Sequence, residues 1–415
     1  MKLLIITSHL PYPLNTGGNQ AQYHIIDFLR KNQVNISILF NENRVNSNKD
    51  LQELQRIWTD VKFYPFRWAK TKKRYEVLLL KLFKKIYCKL FSGEIPFNTT
   101  NTLVFEELTK DFILYVHSVI KKDNITMAQI EFDSFLPVVF ALPPYIKKVY
   151  VQHEIQFIKK QLLLESLQQH NNVYQQFICN KIKYDEISAM NNYDMVITLT
   201  DIDKAKLQGC GVTTQVESSP ACVSGKSGSN IFKGCTNKLV FVGGCHHYPN
   251  LQGLEWFFEK IWESILNKKP DTTIDIVGKW EEKYKNAFTK KYRNVNFLGF
   301  VDDLSSVLEE TIMVVPLQIG SGMRMKLIDA ANYGCPFVST SVGIEGLNFE
   351  NNQDCFIEDG ELEFANKVIS LIENKELQKI FSKNIKNIFD KEYSIDILGT
   401  RRLLLLNNLN NSNQY

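Results

Sequence analysis

Short apolar runs alternate along this chain with longer stretches in which apolar positions recur every three or four residues. That rhythm predicts strands and helices in turn, and so an α/β protein built on parallel sheets. In the first half the strand-like runs are KLLIIT (2–7), NISILF (35–40), a segment near Val61 to Tyr64, ITMAQIEF (125–132), KKVYVQH (147–153) and DMVITLT (194–200). Helical spacing covers about 20–31 and a long polar-apolar stretch through 155–190. Residues 218–237, SSPACVSGKSGSNIFKGCTN, break the pattern with Ser, Gly and Lys and divide the chain into units 1–218 and 219–415.

A second series then follows: KLVFVGG (238–244), a helix over about 250–266, TIDIVG (273–278), VNFLGF (295–300), a short helix near 303–310, MVVPL (313–317) and PFVST (336–340). From Glu361 onward the pattern is helical, and the last helix, with Arg401, Arg402 and Leu403 to Leu406, is expected to pack back on the first unit. Parallel sheets bind ligands beyond the carboxyl ends of their strands. The loops after Thr7, Phe132, Val151 and Leu199 are therefore where chemistry is expected in the first unit.

The most informative segment is VVPLQIGSGMRMKLIDAANYGCPFVST (314–340), which reads as strand, glycine loop, helix over Met323 to Tyr333, glycine turn and strand. Gly320 and Gly322 let the main chain approach a ligand, and N–H groups at a helix start attract an anion. Lys326 and Asp329, three residues apart, share a helix face, offering a cation for phosphate and an acceptor for sugar hydroxyls. The same pattern is compatible with a βαβ crossover whose glycines only make turns and whose Lys326 and Asp329 form a solvated pair.

Composition narrows the field. With 415 residues, 44% of them hydrophobic, the chain is long enough for two cores, and 49 basic against 45 acidic residues is too even for a general nucleic-acid binder. The eight cysteines form no CxxC pair and read as reduced, buried thiols. Met1 and Lys2 lead directly into Leu3-Leu4-Ile5-Ile6 without a leader pattern, so a cytoplasmic protein is expected. No run approaches the roughly 18 apolar residues of a membrane span. No carboxylate pair suggests a metal.

Taken in order, SHLPYPLNTGGNQ, VQHE, FVGG, DIVG, FLGFVDDL and the 314–340 segment resemble retaining glycosyltransferases of the two-domain GT-B architecture, in particular family four. The resemblance implies two Rossmann-like doubly wound domains facing across a cleft, the first for the acceptor and the second for a nucleotide-sugar donor. It implies transfer with retention to a glycan or lipid-linked acceptor, as in bacterial surface polysaccharide synthesis, with the nucleotide sugar as co-substrate and no metal or other cofactor. The family commonly carries two glutamates seven residues apart; here Ser321 and Asp329 stand there, so a carboxylate is lost at the first position. The diphosphate is then expected on Lys326, next Arg324, and the N–H groups of Ser321 to Met323 around Gly320 and Gly322. Where relatives carry an Arg and a Lys after the FVG strand, this chain has Gly243, Gly244, Cys245, His246 and His247, and neutral imidazoles neutralise phosphate weakly. Base contacts are expected around Gly278, Lys279, Gly299 and Phe300.

Gly17 and Gly18 are expected beside the donor phosphates and the reacting sugar, with His153 as the leading polar candidate there. Glu131 occupies a region where relatives often place a His, and is expected to orient the acceptor or stabilise positive charge. Glu186 resembles a recurrent acidic position, a surface pair being the alternative. Segment 68–91 holds eight Lys or Arg; as a helix it lines up Leu79, Phe83, Ile86 and Leu90 and can rest on an anionic membrane, or pack on its own domain. Two other functions stay open: a nucleotide-sugar epimerase of the same fold, and a noncatalytic sugar-nucleotide-binding protein. A nicotinamide dehydrogenase is disfavoured, because no GxGxxG follows the first strand.

Overall fold

The apolar runs form two separate parallel sheets in a computed structural model that describes all residues except 15, 43–47, 69–107, 167–171, 224–231, 235–236, 321 and 413–415. The first sheet has strand order β3-β2-β1-β4-β5-β6-β7, from β1 (Lys2–Thr7), β2 (Asn35–Asn41), β3 (Lys62–Phe66), β4 (Met127–Glu131), β5 (Lys147–Gln152), β6 (Met195–Thr198) and β7 (Gln215–Ser218). The second has order β10-β9-β8-β11-β12-β13, from β8 (Lys238–Val242), β9 (Thr273–Val277), β10 (Val295–Gly299), β11 (Ile312–Val315), β12 (Phe337–Ser339) and β13 (Phe356–Ile357). In each sheet the order reverses once, beside β1 and β4 and beside β8 and β11, which opens a crevice at those strand ends.

Period-two alternation divides each strand between two cores. Leu3 and Ile5 face one apolar cluster and Leu4 and Ile6 another, and Ile312 and Val314 are split from Met313 and Val315 in the same way. One of these clusters joins residues of both sheets with the carboxyl-terminal helix Ile395–Asn411. That helix crosses back onto the first half. Gly399 lies so close to Phe28 on the Gly17–Lys31 helix that an added Cβ would sit 2.4 Å from the ring. The buried Arg402 donates from Nε to Ser219 Oγ and from Nη2 to the Ser219 carbonyl, both at 3.0 Å.

The expected helix over 155–190 is two, Gln156–Ser166 and Val173–Met190, the second capped by the Asn172 side chain. Glu186 is fully buried and accepts from the backbone N–H groups of Gln156 (3.1 Å) and Phe157 (3.0 Å), so it caps the first helix and makes no surface pair. Burial raises its pKa to about 8. Strand β7 escapes the apolar-run pattern because QVES has a single apolar residue. The six described cysteines are all free. Among the described residues no helix is long and apolar enough to cross a membrane. The basic stretch of 68–91, apart from Trp68, lies outside the described residues.

Candidate functional site

The carboxyl ends of the two sheets enclose a cavity of ≈ 740 Å³, within the range of small-molecule sites. Its lining includes Gly17, Gly18, His153, Gly243, Gly244, His246, Gly278, Lys279, Phe300, Gly322, Met323, Arg324, Lys326 and Asp329. Residues separated by up to about 300 positions thus share one space.

Backbone contacts bring the halves together. Gly322, at φ +77°, lies against the His153 carbonyl, and a Cβ there would come within 2.8 Å of that oxygen. Only glycine satisfies both conditions without displacement. On the second sheet, Gly278 takes φ +133° and its Cβ position falls 2.6 Å from the Gly243 carbonyl oxygen, so the turns after β8 and β9 touch through their main chains. Trp280 Nε1 donates to the same Gly243 carbonyl at 2.8 Å and Cys245 N to the Lys279 carbonyl at 3.1 Å, closing this shelf. The Gly17–Lys31 helix begins at the cavity, where Thr16 Oγ1 accepts from Asn19 N at 3.1 Å.

Lys326 and Asp329 do share a face of the Met325–Tyr333 helix and both line the cavity. Burial, reinforced by Arg324, lowers the Lys326 pKa to about 7; burial raises that of Asp329 to about 7. The Lys326 amine donates to Asn250 Oδ1 at 2.8 Å and lies 4.6 Å from the Phe241 ring centroid, while Asn250 Nδ2 donates to the Gly244 carbonyl at 3.1 Å. Asn250, absent from the expected set, therefore ties the lysine to the β8 shelf. Lys279 Nζ stands 5.8 Å from the Phe300 ring centroid.

Other expected residues stand in different relations to the cavity. Arg324 is buried, lines the cavity and donates from its guanidinium to the carbonyls of Gly322 and, at 3.2 Å, Val342. Its burial lowers its pKa. Gly320 packs against that guanidinium and does not line the cavity. Gly299 also stands back, its carbonyl accepting from Gly278 N at 2.7 Å. The helix starts at Met325, two residues later than its spacing suggests. Ser321 lies outside the described residues.

Glu131 is buried behind His153 and does not line the cavity. Its Oε2 stands 2.6 Å from His153 Nε2, and its Oε1 accepts from Gln129 Nε2 at 2.5 Å. Its action on a sugar would therefore run through the imidazole. A carboxylate on Nε2 keeps the proton on that nitrogen and turns Nδ1 into the acceptor when the ring is neutral. Phe132 stacks on His153 with centroids 4.0 Å apart and packs against His9 at 4.6 Å. Its φ of +64° is uncommon for a bulky residue and marks local strain beside the site.

His246 and His247 are exposed, each with its ring nitrogen 3.8 Å from a carboxylate, Glu281 and Glu154 respectively. Cys245, His246 and Glu281 place one ligand atom each within 4.8 Å of one another at the rim, a grouping hidden from sequence by the distance to Glu281.

Residues 236–374 match the family model described as "Glycosyl transferases group 1". A 44.6 kDa uncharacterized protein from the cps region of Klebsiella pneumoniae is 21% identical over 402 residues, covering 94% of this chain and 96% of that relative. Among solved structures, HepE of Anabaena in complex with UDP superposes with a TM-score of 0.67 at 12% identity, covering 98% of this chain and 100% of its own. A TarM variant from S. aureus, in complex with fondaparinux, α-GlcNAc-glycerol and UDP, gives 0.67 at 14% identity, covering 99% and 100%. The fold is GT-B, two Rossmann-like domains across a cleft. With a group 1 glycosyltransferase domain in its second half, the chain is a glycosyltransferase by class.

Proposed function

We propose that the chain transfers a sugar, with retention of anomeric configuration, from a nucleotide sugar to a growing glycan in surface polysaccharide synthesis. The carrying observation is a cavity lined by Lys326 and Asp329 from one sheet and His153 from the other, beside the Gly322–His153 contact. In this reading residues 1–218 serve the acceptor and 219–415 the donor. The diphosphate lies on the β8 shelf of Gly243 and Gly244 near Lys326, with the base by Gly278, Lys279 and Phe300. Asp329 accepts from ribose hydroxyls. Protonated Lys326 and the amide groups around Gly17 and Gly18 stabilise charge on the leaving diphosphate, in place of a metal. His153 stands at the reacting sugar, oriented by Glu131.

Support for UDP as the nucleotide comes from the HepE and TarM complexes, and support for the biological role from the cps-region relative. The same proposal places the enzyme in the cytoplasm, with peripheral contact to an anionic membrane through 68–91 carried by the lysine pattern alone.

The test is incubation of the purified chain with UDP-sugars and a glycan panel, with the product's anomeric configuration read by NMR. Acceptor-dependent release of UDP and an unchanged anomeric configuration are expected. Inversion would refute retention. Donor consumption without acceptor dependence would favour the epimerase alternative, and donor binding without any turnover the noncatalytic one.

A further inference from the structure

The turns after β8 and β9 carry a second chemical grouping beside the cavity. Cys245 and His246 come from the first turn and Glu281 from the second, and their ligand atoms, a thiol sulfur, a ring nitrogen and a carboxylate oxygen, all lie within 4.8 Å of one another. Among the described residues this is the one group of three such side chains with that spacing. Gly244 and His246 line the cavity, whereas Cys245 and Glu281 do not.

The two turns are already fixed to each other by main-chain contacts. Cys245 N donates to the Lys279 carbonyl at 3.1 Å and Trp280 Nε1 to the Gly243 carbonyl at 2.8 Å. Cys245 is buried, and its Sγ accepts from Glu281 N at 3.4 Å, a backbone N–H contact of the kind that steadies a metal-bound thiolate. As a neutral thiol the same Sγ donates to the Lys279 carbonyl at 3.5 Å, a contact given up on deprotonation. Glu281 divides its oxygens: Oε2 pairs with Lys283 at 2.9 Å, and Oε1 faces His246 Nδ1 at 3.8 Å. Lys279, the cation of the second turn, directs its Nζ to the Phe300 ring, 5.8 Å from the centroid. His247 is engaged elsewhere, with Nε2 3.8 Å from Glu154.

We propose that Cys245, His246 and Glu281 form a three-ligand site for a borderline-soft divalent cation, Zn²⁺ in the first place. Thiolate, imidazole and carboxylate are the donors that Zn²⁺ takes, whereas Mg²⁺ and Ca²⁺ want oxygen ligands throughout. Bonds of about 2.0–2.3 Å in a tetrahedron set ligand atoms about 3.5 Å apart, so the group closes by about 1 Å. Rotation of the exposed His246 and Glu281 side chains supplies that movement while the buried sulfur stays in place. The ion takes no part in the transfer itself. It joins the turn carrying Gly243 and Gly244 to the turn carrying Gly278 and Lys279, the two turns on which the donor reading above places the diphosphate and the base. Once the thiol proton is lost, the bound ion also leaves one more positive charge beside that shelf. Resting on that reading, ion and nucleotide sugar tighten each other's binding by the same factor.

The experiment uses the full chain, stripped with a chelator, and Co²⁺ as a coloured stand-in for Zn²⁺, without nucleotide. One equivalent should develop a thiolate-to-cobalt charge-transfer absorption that Zn²⁺ abolishes and Cys245→Ser lacks. No such band, or the same band in Cys245→Ser, overturns the site. Cys245 is buried, so His246→Ala and Glu281→Gln, both at exposed positions, carry the test should that variant fail to fold. Each should weaken Zn²⁺ binding at least about 10-fold, read in competition with a chromophoric chelator, and unchanged affinity in both overturns the ligand set. UDP-glucose is then titrated into the Zn²⁺-loaded and the stripped chain. An affinity about 5-fold or more higher in the loaded chain is expected, with the difference lost in Glu281→Gln. Equal affinity overturns the coupling. UDP-glucose that binds neither form overturns the donor reading and the coupling with it, while the cobalt spectrum, taken without nucleotide, still decides the site.

Discussion

Nucleotide-sugar binding should take up a proton at Lys326. In the free protein this amine is held near pKa 7 by burial and by Arg324, so at pH 8 about nine-tenths of it is neutral. A bound diphosphate stabilises the ammonium and draws a proton from solvent, whereas the diphosphate of a nucleotide sugar is itself ionised throughout this range. Raising the bound-state pKa to about 9 or above implies uptake of about 0.8–0.9 proton at pH 8 and about 0.1 at pH 6. Between pH 6 and pH 8.5 the affinity should fall by up to about 30-fold. Asp329, also raised to about 7, titrates in the same window, so the measurement belongs in an Asp329→Asn background. Isothermal titration of UDP-glucose in buffers of different ionisation enthalpy reads proton uptake directly. Lys326→Met should abolish the uptake and flatten the pH profile. Equal uptake in the variant, or none in the parent, would refute the assignment of the diphosphate to this amine.

Three further outcomes follow from particular contacts. Glu131→Gln keeps the volume behind His153 but no longer enforces the Nε2–H form, so kcat should fall about 10-fold or more while donor Kd stays the same. Gly399→Ala forces a methyl into Phe28 and should destabilise by about 1–3 kcal/mol, read as a lower Tm, whereas Phe28→Ala in the same chain should relieve the clash. Glu186 has a raised folded pKa, so the native state binds more protons than the unfolded state between about pH 4.5 and 8; its contribution to stability is fullest below that window and is lost as pH rises through it. Glu186→Gln should remove that part of the decline, and identical Tm profiles over pH 5–8 would contradict the burial assigned to the carboxyl.

Most of the fold was legible because most strands, unlike β7, are apolar runs bounded by turn residues, and KLLIIT becomes β1 residue for residue. Lys326 and Asp329 were legible as neighbours because helical spacing alone fixes their relation. The Glu131–His153 pair was not. It depends on β4 and β5 being adjacent and in a register that sets Glu131 opposite Val151, which only the folded sheet defines. The partners of Arg324 were hidden for a related reason: its guanidinium donates to the carbonyl of Gly322 in its own loop and to that of Val342, which only the fold brings near. Asn250 carries no motif, and its role emerges only where Lys326 arrives from 76 residues away. The capping role of Glu186 was not legible because its partners are main-chain N–H groups, which leave no trace in side-chain pattern.

The return of the 395–411 helix onto the 17–31 helix has a consequence for the order of biosynthesis. A ribosome releases the first sheet long before Gly399 and Arg402 exist, so the growing chain must hold Phe28 and Ser219 without their partners until the 395–411 helix has been made. The packing of the first sheet is thus completed by a segment about 180 residues beyond its last strand. A fragment cut after Ser219 would carry every strand of the first sheet and still lack the helix that covers its flank.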